Sequence, residues 1–370
     1  MKRFLNFCKN IALVTFPTMV GLLVLLELLA RTALPVSDVP DTFFHPTLGN
    51  HFVPNQKGII TRGPGGVERS EYRINTSGWN SPYDYTTDKQ DDVFRIAVIG
   101  DSYVEAFQVD YQRSFPYLAE AKLNAKADKP VFQTYSFGHS GANMVQYLHV
   151  FKEAIQYKPD MVIFNLVHND LDEALYGYGR KDNWTLTKSG DQFVEVPPHP
   201  VSNLNLKRAA RNSALIRFMV LNLELPAKVN FLKQLLYGDV RQYEANVDTN
   251  SAVLSNDRLL NELLDYLLRE IQTLSVLHRI KVLVLIDGNR QAIYDNLDSK
   301  STKTYQINRA LLETCRTLSL HAVDLTDRFS EIWEKDHKKF NSETDYHWNQ
   351  YGHEVVSDVL LEEILRQHPL

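Results

Sequence analysis

Hydrophobic positions along the chain fall into one long N-terminal run and then a repeating alternation of short and long blocks. The long run extends from Ile11 to Leu29 and is interrupted only by Thr15, Pro17, Thr18, Gly21 and Glu27. As a helix it reaches roughly 28 Å, close to the hydrocarbon thickness of a bilayer. Glu27, its one charge, sits near the far end, four residues before Arg31, with which it can pair. Lys2, Arg3 and Lys9 precede the run and predict a cytoplasmic N-terminus, with everything beyond residue 35 on the opposite side. The alternative is a cleaved signal peptide. Its apolar region is usually shorter, and Ala30-Arg31-Thr32-Ala33-Leu34-Pro35 makes a poor cleavage site, so the segment reads as an uncleaved anchor.

Residues 36–93 are rich in Pro, Gly, Asn and Asp, with short strand-like stretches at Gly58–Thr61 and Glu71–Ile74 around Gly63-Pro64-Gly65-Gly66. They read as a β-rich lead-in or stalk. From Phe94 onward strands and helices alternate. Strands are predicted at Arg95–Ile99, Val131–Tyr135, Met161–Val167, Lys281–Ile286 and His321–Leu325. Helices are predicted at Ser114–Lys126, Ala142–Tyr157, from an Asn256 cap onward, at Thr304–Leu318 and at Trp348–Arg366. Met161–Val167 is almost wholly apolar, as a strand covered on both faces should be. This alternation predicts an α/β fold, a three-layer sandwich around a five-stranded parallel sheet, preceded by a single transmembrane helix.

Three segments follow: a cytoplasmic tip and anchor over 1–35, the lead-in over 36–93, and an α/β domain over 94–370 with an insertion at about 171–255. The insertion opens as polar loop and then mixes basic residues with an apolar stripe between Leu206 and Tyr237. That stripe fits a helical cap on the domain. It also fits a lid, or a surface touching the membrane or a lipid-linked substrate, and the sequence leaves these open.

Composition narrows the function. A formal net charge of −5 gives no basic footprint, which argues against a nucleic-acid partner. Cys8 and Cys315 fall on opposite sides of the proposed span, so no disulfide and no paired-cysteine metal site is expected. The histidines show no metal-ligand spacing, and no cofactor is expected.

Sites in such sheets form at the carboxyl ends of the strands. After the first strand stands Gly100-Asp101-Ser102. After the second comes Ser136-Phe137-Gly138-His139-Ser140-Gly141-Ala142-Asn143. The third is followed by His168-Asn169-Asp170, and the last helix is preceded by Asp345-Tyr346-His347. Together these blocks hold a nucleophile, backbone donors, an amide donor and an Asp-His pair, the set that acyl transfer needs. Singly, each has a plainer reading. Ser102 is also a helix-cap residue, Gly141 a turn glycine and Asn169 a cap. His139, His168 and His353 rival His347, but only His347 follows a carboxylate two residues back just before a closing helix. His353 reads as a helix-surface residue, His168 as a possible pocket wall, and Trp348 as either core or site wall.

In order and spacing the four blocks resemble the SGNH (GDSL-type) hydrolase superfamily. The resemblance covers residues 94–370 apart from the insertion. It implies Ser102 as nucleophile, Asp345 and His347 as its partners, and an oxyanion hole built from the Ser102 N–H, the Gly141 N–H and the Asn169 side chain. Gly141 fits the family's donor glycine better than Gly138. Ala106 stands where the family often has Gly, Val167 where a Gly usually precedes the asparagine by two, and the Asp-x-His spacing is one residue shorter than in many members. That short spacing is similar to that of membrane-anchored members acting on O-acetyl groups of bacterial exopolysaccharides. The expected protein is a serine esterase or O-acyltransferase in a bacterial inner membrane, its catalytic domain periplasmic and its substrate an acylated carbohydrate. A lidded lipase or thioesterase, or a non-catalytic glycan-binding scaffold, are the alternatives. Substrate, acyl group and oligomeric state are not encoded in any signal found.

Overall fold

Five parallel strands form the centre of the larger of two compact units, and their register sets where the segments bearing Ser102, Gly141 and Asn169 leave the sheet. The computed structural model describes residues 11–127, 131–200, 211–225, 243–244, 247–248, 254, 256–298, 302–344 and 346–368. The larger unit comprises residues 40–58, 70–201 and 240–370; the smaller comprises 1–39, 59–69 and 202–239.

In the larger unit, β1 (Phe94–Gly100), β2 (Phe132–Gly138), β3 (Met161–Leu166), β4 (Lys281–Ile286) and β5 (His321–Asp324) lie in the order β5-β4-β3-β1-β2, every pair parallel. Alternation along the strands sends side chains to two separate cores. Ala97, Ile99, Val162, Phe164, Val284 and Ile286 face α2 (Met144–Ala154) and α3 (Asp257–His278), with α4 (Lys303–Thr317) beside them. Ile96, Val98, Met161, Ile163, Leu283 and Leu285 face α1 (Phe115–Lys126) and α5 (Gln350–Gln367). Helices on both faces make the predicted three-layer sandwich. Asn256 caps α3 as expected, accepting from the Leu259 N–H at 3.1 Å.

The stretch before β1 is part of this unit's core. The ring of Tyr85 stacks on Tyr135 at 4.0 Å, and Trp79 packs on Phe137 at 5.2 Å. β2 is an edge strand, and unpaired edges invite aggregation. Here the Tyr85 hydroxyl donates to the Ser136 carbonyl at 2.7 Å and accepts from the Ser136 N–H at 2.8 Å. The Tyr83 hydroxyl likewise meets the Thr134 backbone. Part of the predicted polar loop of the insertion is an antiparallel hairpin, Thr185–Ser189 with Gln192–Val196. Most of the predicted stripe from Leu206 to Tyr237 lies outside the described residues.

In the smaller unit, the helix Phe16–Ala33 follows a π-helical turn at Ile11–Thr15. Residues Leu13–Ala33 are long and apolar enough to cross a membrane. Glu27 pairs with Arg31 at 2.7 Å, as its spacing suggested. Its carboxylate also accepts from the Ser213 hydroxyl at 2.8 Å and from the Ala214 and Leu215 N–H groups at 2.9 Å. Asn222 donates to the Pro35 carbonyl at 2.9 Å and to Thr61 Oγ1 at 3.1 Å.

Candidate active site

Two glycines let the Ser102 turn form. A Cβ on Gly100 would lie 2.4 Å from Val104 Cγ2, and one on Gly138 would lie 2.0 Å from the Glu105 backbone N. Gly138, the rival oxyanion glycine, thus makes room for the short helix Ser102–Glu105 against the end of β2. Asp101 caps that helix, its carboxylate accepting from the Tyr103 N–H at 3.0 Å. Burial raises the Asp101 pKa. The helix ends at Ala106 in the left-handed region, φ 57°, with its N–H on the Ser102 carbonyl. Glycine adopts that conformation most easily, which explains a glycine preference at this position.

His347 Nε2 lies 2.6 Å from Ser102 Oγ. The hydroxyl's second neighbour is Asp101 Oδ2 at 3.3 Å. Several contacts fix the loop that carries His347. The Ser342 N–H donates to the His347 carbonyl at 2.8 Å. The Tyr103 hydroxyl donates to the Tyr346 carbonyl at 3.0 Å while accepting from Arg290 Nη2 at 2.7 Å. Arg290 forms a fully buried pair with Asp287 at 3.1 Å, and Asp287 also accepts from the Trp348 indole at 3.3 Å. The Tyr103 ring lies 4.7 Å from the imidazole. Asp345, the predicted partner of His347, lies outside the described residues.

The predicted oxyanion donors follow three adjacent strands. β1 lies between β2 and β3, with Gly100 opposite Gly138 and Ile99 opposite Phe164. Ser102, Gly141 and Asn169 therefore leave neighbouring carboxyl ends, at the point where chain order along the sheet reverses. The Ser102 N–H opens its helix and has no intrahelical acceptor. Gly141 has φ +73°, and its carbonyl accepts from Asn183 Nδ2. Among the described residues its N–H meets no protein acceptor. Asn169 Nδ2 donates one hydrogen to Glu173 Oε1 at 3.2 Å and keeps a second. Burial raises Glu173 to about 7. Asp170 turns back onto the Val167 N–H at 2.8 Å, bracing the loop.

The other candidates fall away from the site. His353 is buried, not on the helix surface as expected. Its Nδ1 accepts from the Phe115 N–H at 3.2 Å, and burial lowers it to about 3. α5 is covered by α1 on that flank, a tertiary contact that helical periodicity does not reveal. His168 is buried against Asn308, with Nε2 to Oδ1 at 2.8 Å. Trp348 is core, in contact with Phe115. No cluster of metal-ligating side chains exists among the described residues. Glu105, Arg290 and Asp287 escaped the sequence reading. An acid one turn after the Gly-Asp-Ser block was the local hint for Glu105, and its burial became visible in the structure.

A profile of the GDSL-like lipase/acylhydrolase family matches residues 98–355. Solved structures with a similar course include an acetyl xylan esterase, AlAXEase (12% identity, TM-score 0.43, covering 73% of this chain and 100% of that one). Another is a lipase/acylhydrolase from Enterococcus faecalis (14%, TM-score 0.41, 74% and 97%). A third is a catalytic mutant of an acetylxylan esterase from Geobacillus stearothermophilus (13%, TM-score 0.41, 75% and 96%). No curated protein matches the chain.

Proposed function

The chain belongs to the GDSL-like lipase/acylhydrolase family and is an SGNH-type hydrolase, and from that premise we propose that Ser102, His347 and Asp345 cleave an acyl ester through an acyl-serine. The observation that carries this reading is the 2.6 Å contact between Ser102 Oγ and His347 Nε2. In the first step Oγ attacks the ester carbonyl while Nε2 takes its proton. The carbonyl π pair moves onto oxygen, and the N–H groups of Ser102 and Gly141 with the Asn169 amide bind that oxyanion. Asp345 orients the imidazole and stabilises its cation. Collapse expels the alcohol, which leaves with the proton from His347. A second nucleophile then repeats the sequence on the acyl-serine. Water gives free acid; a sugar hydroxyl gives a transferred ester.

We assign the acyl group as acetyl and its carrier as an extracytoplasmic carbohydrate, with the anchor holding the unit at a bacterial inner membrane. The grounds are the apolar helix Leu13–Ala33 and the short Asp345-x-His347 spacing. The test uses the full chain in detergent with p-nitrophenyl acetate. Turnover should be lost in Ser102→Ala and in His347→Ala. Unchanged turnover in Ser102→Ala sinks the assignment. Adding an acceptor oligosaccharide separates the two fates of the acyl-serine: acetylated sugar appearing at the expense of free acetate marks a transferase.

A further inference from the structure

The Gly141 N–H belongs to the Ser140–Gly141 peptide, so the facing of that peptide decides whether the N–H is offered to an oxyanion or withdrawn. A trans peptide is planar, and its C=O and N–H point in opposite directions. Whatever holds the Ser140 carbonyl therefore aims the Gly141 N–H. That carbonyl accepts from Arg180 Nη1 at 3.2 Å. The stem of Arg180 lies over Gly141, where an added Cβ would stand 2.8 Å from Arg180 Cδ. The guanidinium is itself fixed by a fork on Asp182, Nε to Oδ1 at 3.0 Å and Nη2 to Oδ2 at 2.7 Å. Asp182 is nearly buried, with a side chain 7% exposed. On the other side, Glu105 accepts from the Ser140 N–H at 3.2 Å and from the Ser140 hydroxyl. The Gly141 carbonyl is held by Asn183.

We infer that Arg180 is a positioning residue for acyl transfer: by holding the Ser140 carbonyl it keeps the Gly141 N–H turned toward the oxyanion. The inference rests on the reading of Gly141 as an oxyanion donor. With φ at +73°, glycine leaves this peptide easy to rotate. In the rotated form the Ser140 carbonyl replaces the N–H, so an acceptor stands where the oxyanion needs a donor. Arg180 selects against that form without touching the substrate. It does so from the start of the insertion, a segment the sequence pattern marks only as polar loop.

The test compares Arg180→Ala and Arg180→Lys with the unaltered full chain in detergent. Arg180→Ala should lower kcat for p-nitrophenyl acetate by about ten- to a hundredfold, part of the value of a complete donor. KM should stay within about twofold, since the lost interaction acts only in the transition state. Phenylboronic acid forms a tetrahedral anionic adduct on serine, so its inhibition constant should rise by the same factor as kcat falls. Guanidinium at millimolar concentration should restore part of the Arg180→Ala rate, and Arg180→Lys should lie between the two. Unchanged kcat overturns the inference. So does a fall in kcat that leaves boronate inhibition intact, or one that guanidinium does not relieve. Loss of folding in both variants also overturns it, because Arg180 would then serve the fold by pairing the nearly buried Asp182 and not the facing of the oxyanion peptide. Ser102→Ala is the separate control: if it retains turnover, the catalytic reading itself has failed, whatever Arg180 does.

Discussion

Glu105 is a buried carboxyl group one turn beyond Ser102. Burial raises it from 4.5 to about 7, against the opposing pull of two Ser140 hydrogen bonds and Arg180. Asp101 nearby adds to the rise, and His139 stands 3.9 Å away. Between those two values the folded chain holds a proton that the unfolded chain has lost. Stability contributed by this group therefore falls as pH climbs from about 4.5 to about 7 and levels off above. The span corresponds to about 3 kcal/mol. Glu105→Gln mimics the protonated form, so the stability difference between variant and parent should shift in the variant's favour by about that amount between pH 5 and pH 8. Chemical unfolding at the two pH values measures it, and parallel pH profiles for the two proteins would contradict it. Tyr103 tests the other side of the site. Tyr103→Phe leaves the Tyr346 carbonyl and Arg290 without their hydroxyl partner, and the loop bearing His347 loosens. Its expected cost is about 1 kcal/mol in unfolding free energy, with a several-fold lower kcat. The approach of His347 to Ser102 was legible from residue type and order, and the two side chains stand 2.6 Å apart. Residue chemistry was hidden where it depended on enclosure: His353 and Glu105 look like surface residues until the helices and loops around them are in place.

At the scale of elements, the five strands fall within a few residues of where the apolar blocks put them, because a strand covered on both faces leaves an unbroken hydrophobic signature. The hairpin over 185–196 was missed although its signal was present. Ser189-Gly190-Asp191 is a turn sequence between two alternating stretches. The polar composition of its surroundings masked it. The role of Tyr83 and Tyr85 in closing the β2 edge could not be read, since it is a contact between distant segments. What positions Ser102 is likewise an approach of elements: the helix Ser102–Glu105 rests on Gly138. Gly138→Ala puts a methyl group 2.0 Å from the Glu105 N, so the helix or the strand must move. A displacement of about 1 Å at a reacting group can cost about a hundredfold in rate. Esterase activity of Gly138→Ala should fall by at least that order. Gly65→Ala is the control, because its Cβ meets nothing within 4 Å and should leave activity intact. Equal activity in the two variants would show that the nucleophile's position does not depend on this contact.

For the molecule as a whole, the question is how a carboxylate is tolerated inside the apolar helix. A lone charge at the centre of a bilayer costs about 2.5–3.5 kcal/mol on insertion scales, and less near the interface. Glu27 is near the end of the apolar helix, and among the described residues its carboxylate is met from within the smaller unit by Arg31, the Ser213 hydroxyl and the N–H groups of Ala214 and Leu215. The carboxylate thereby holds the start of the short helix Ala214–Arg217, so the charge inside the apolar helix also orders a part of the insertion. Ile216 and Val220 are left exposed on the described part of that segment. Removing the carboxylate separates the two roles. Glu27→Ala makes the helix more apolar, so if the helix is a membrane span the variant and the parent should both stay in the membrane fraction after an alkaline wash. The same change leaves two N–H groups and a hydroxyl without an acceptor, and the segment should open. Trypsin should then cut at Arg211 and Arg217 faster in the variant than in the parent, at equal esterase activity, since both sites belong to the smaller unit and the candidate site to the larger. Equal cleavage rates would mean that the segment is held by something other than Glu27. Release of the variant from the membrane would mean that the carboxylate, and not the apolar length, holds the chain there.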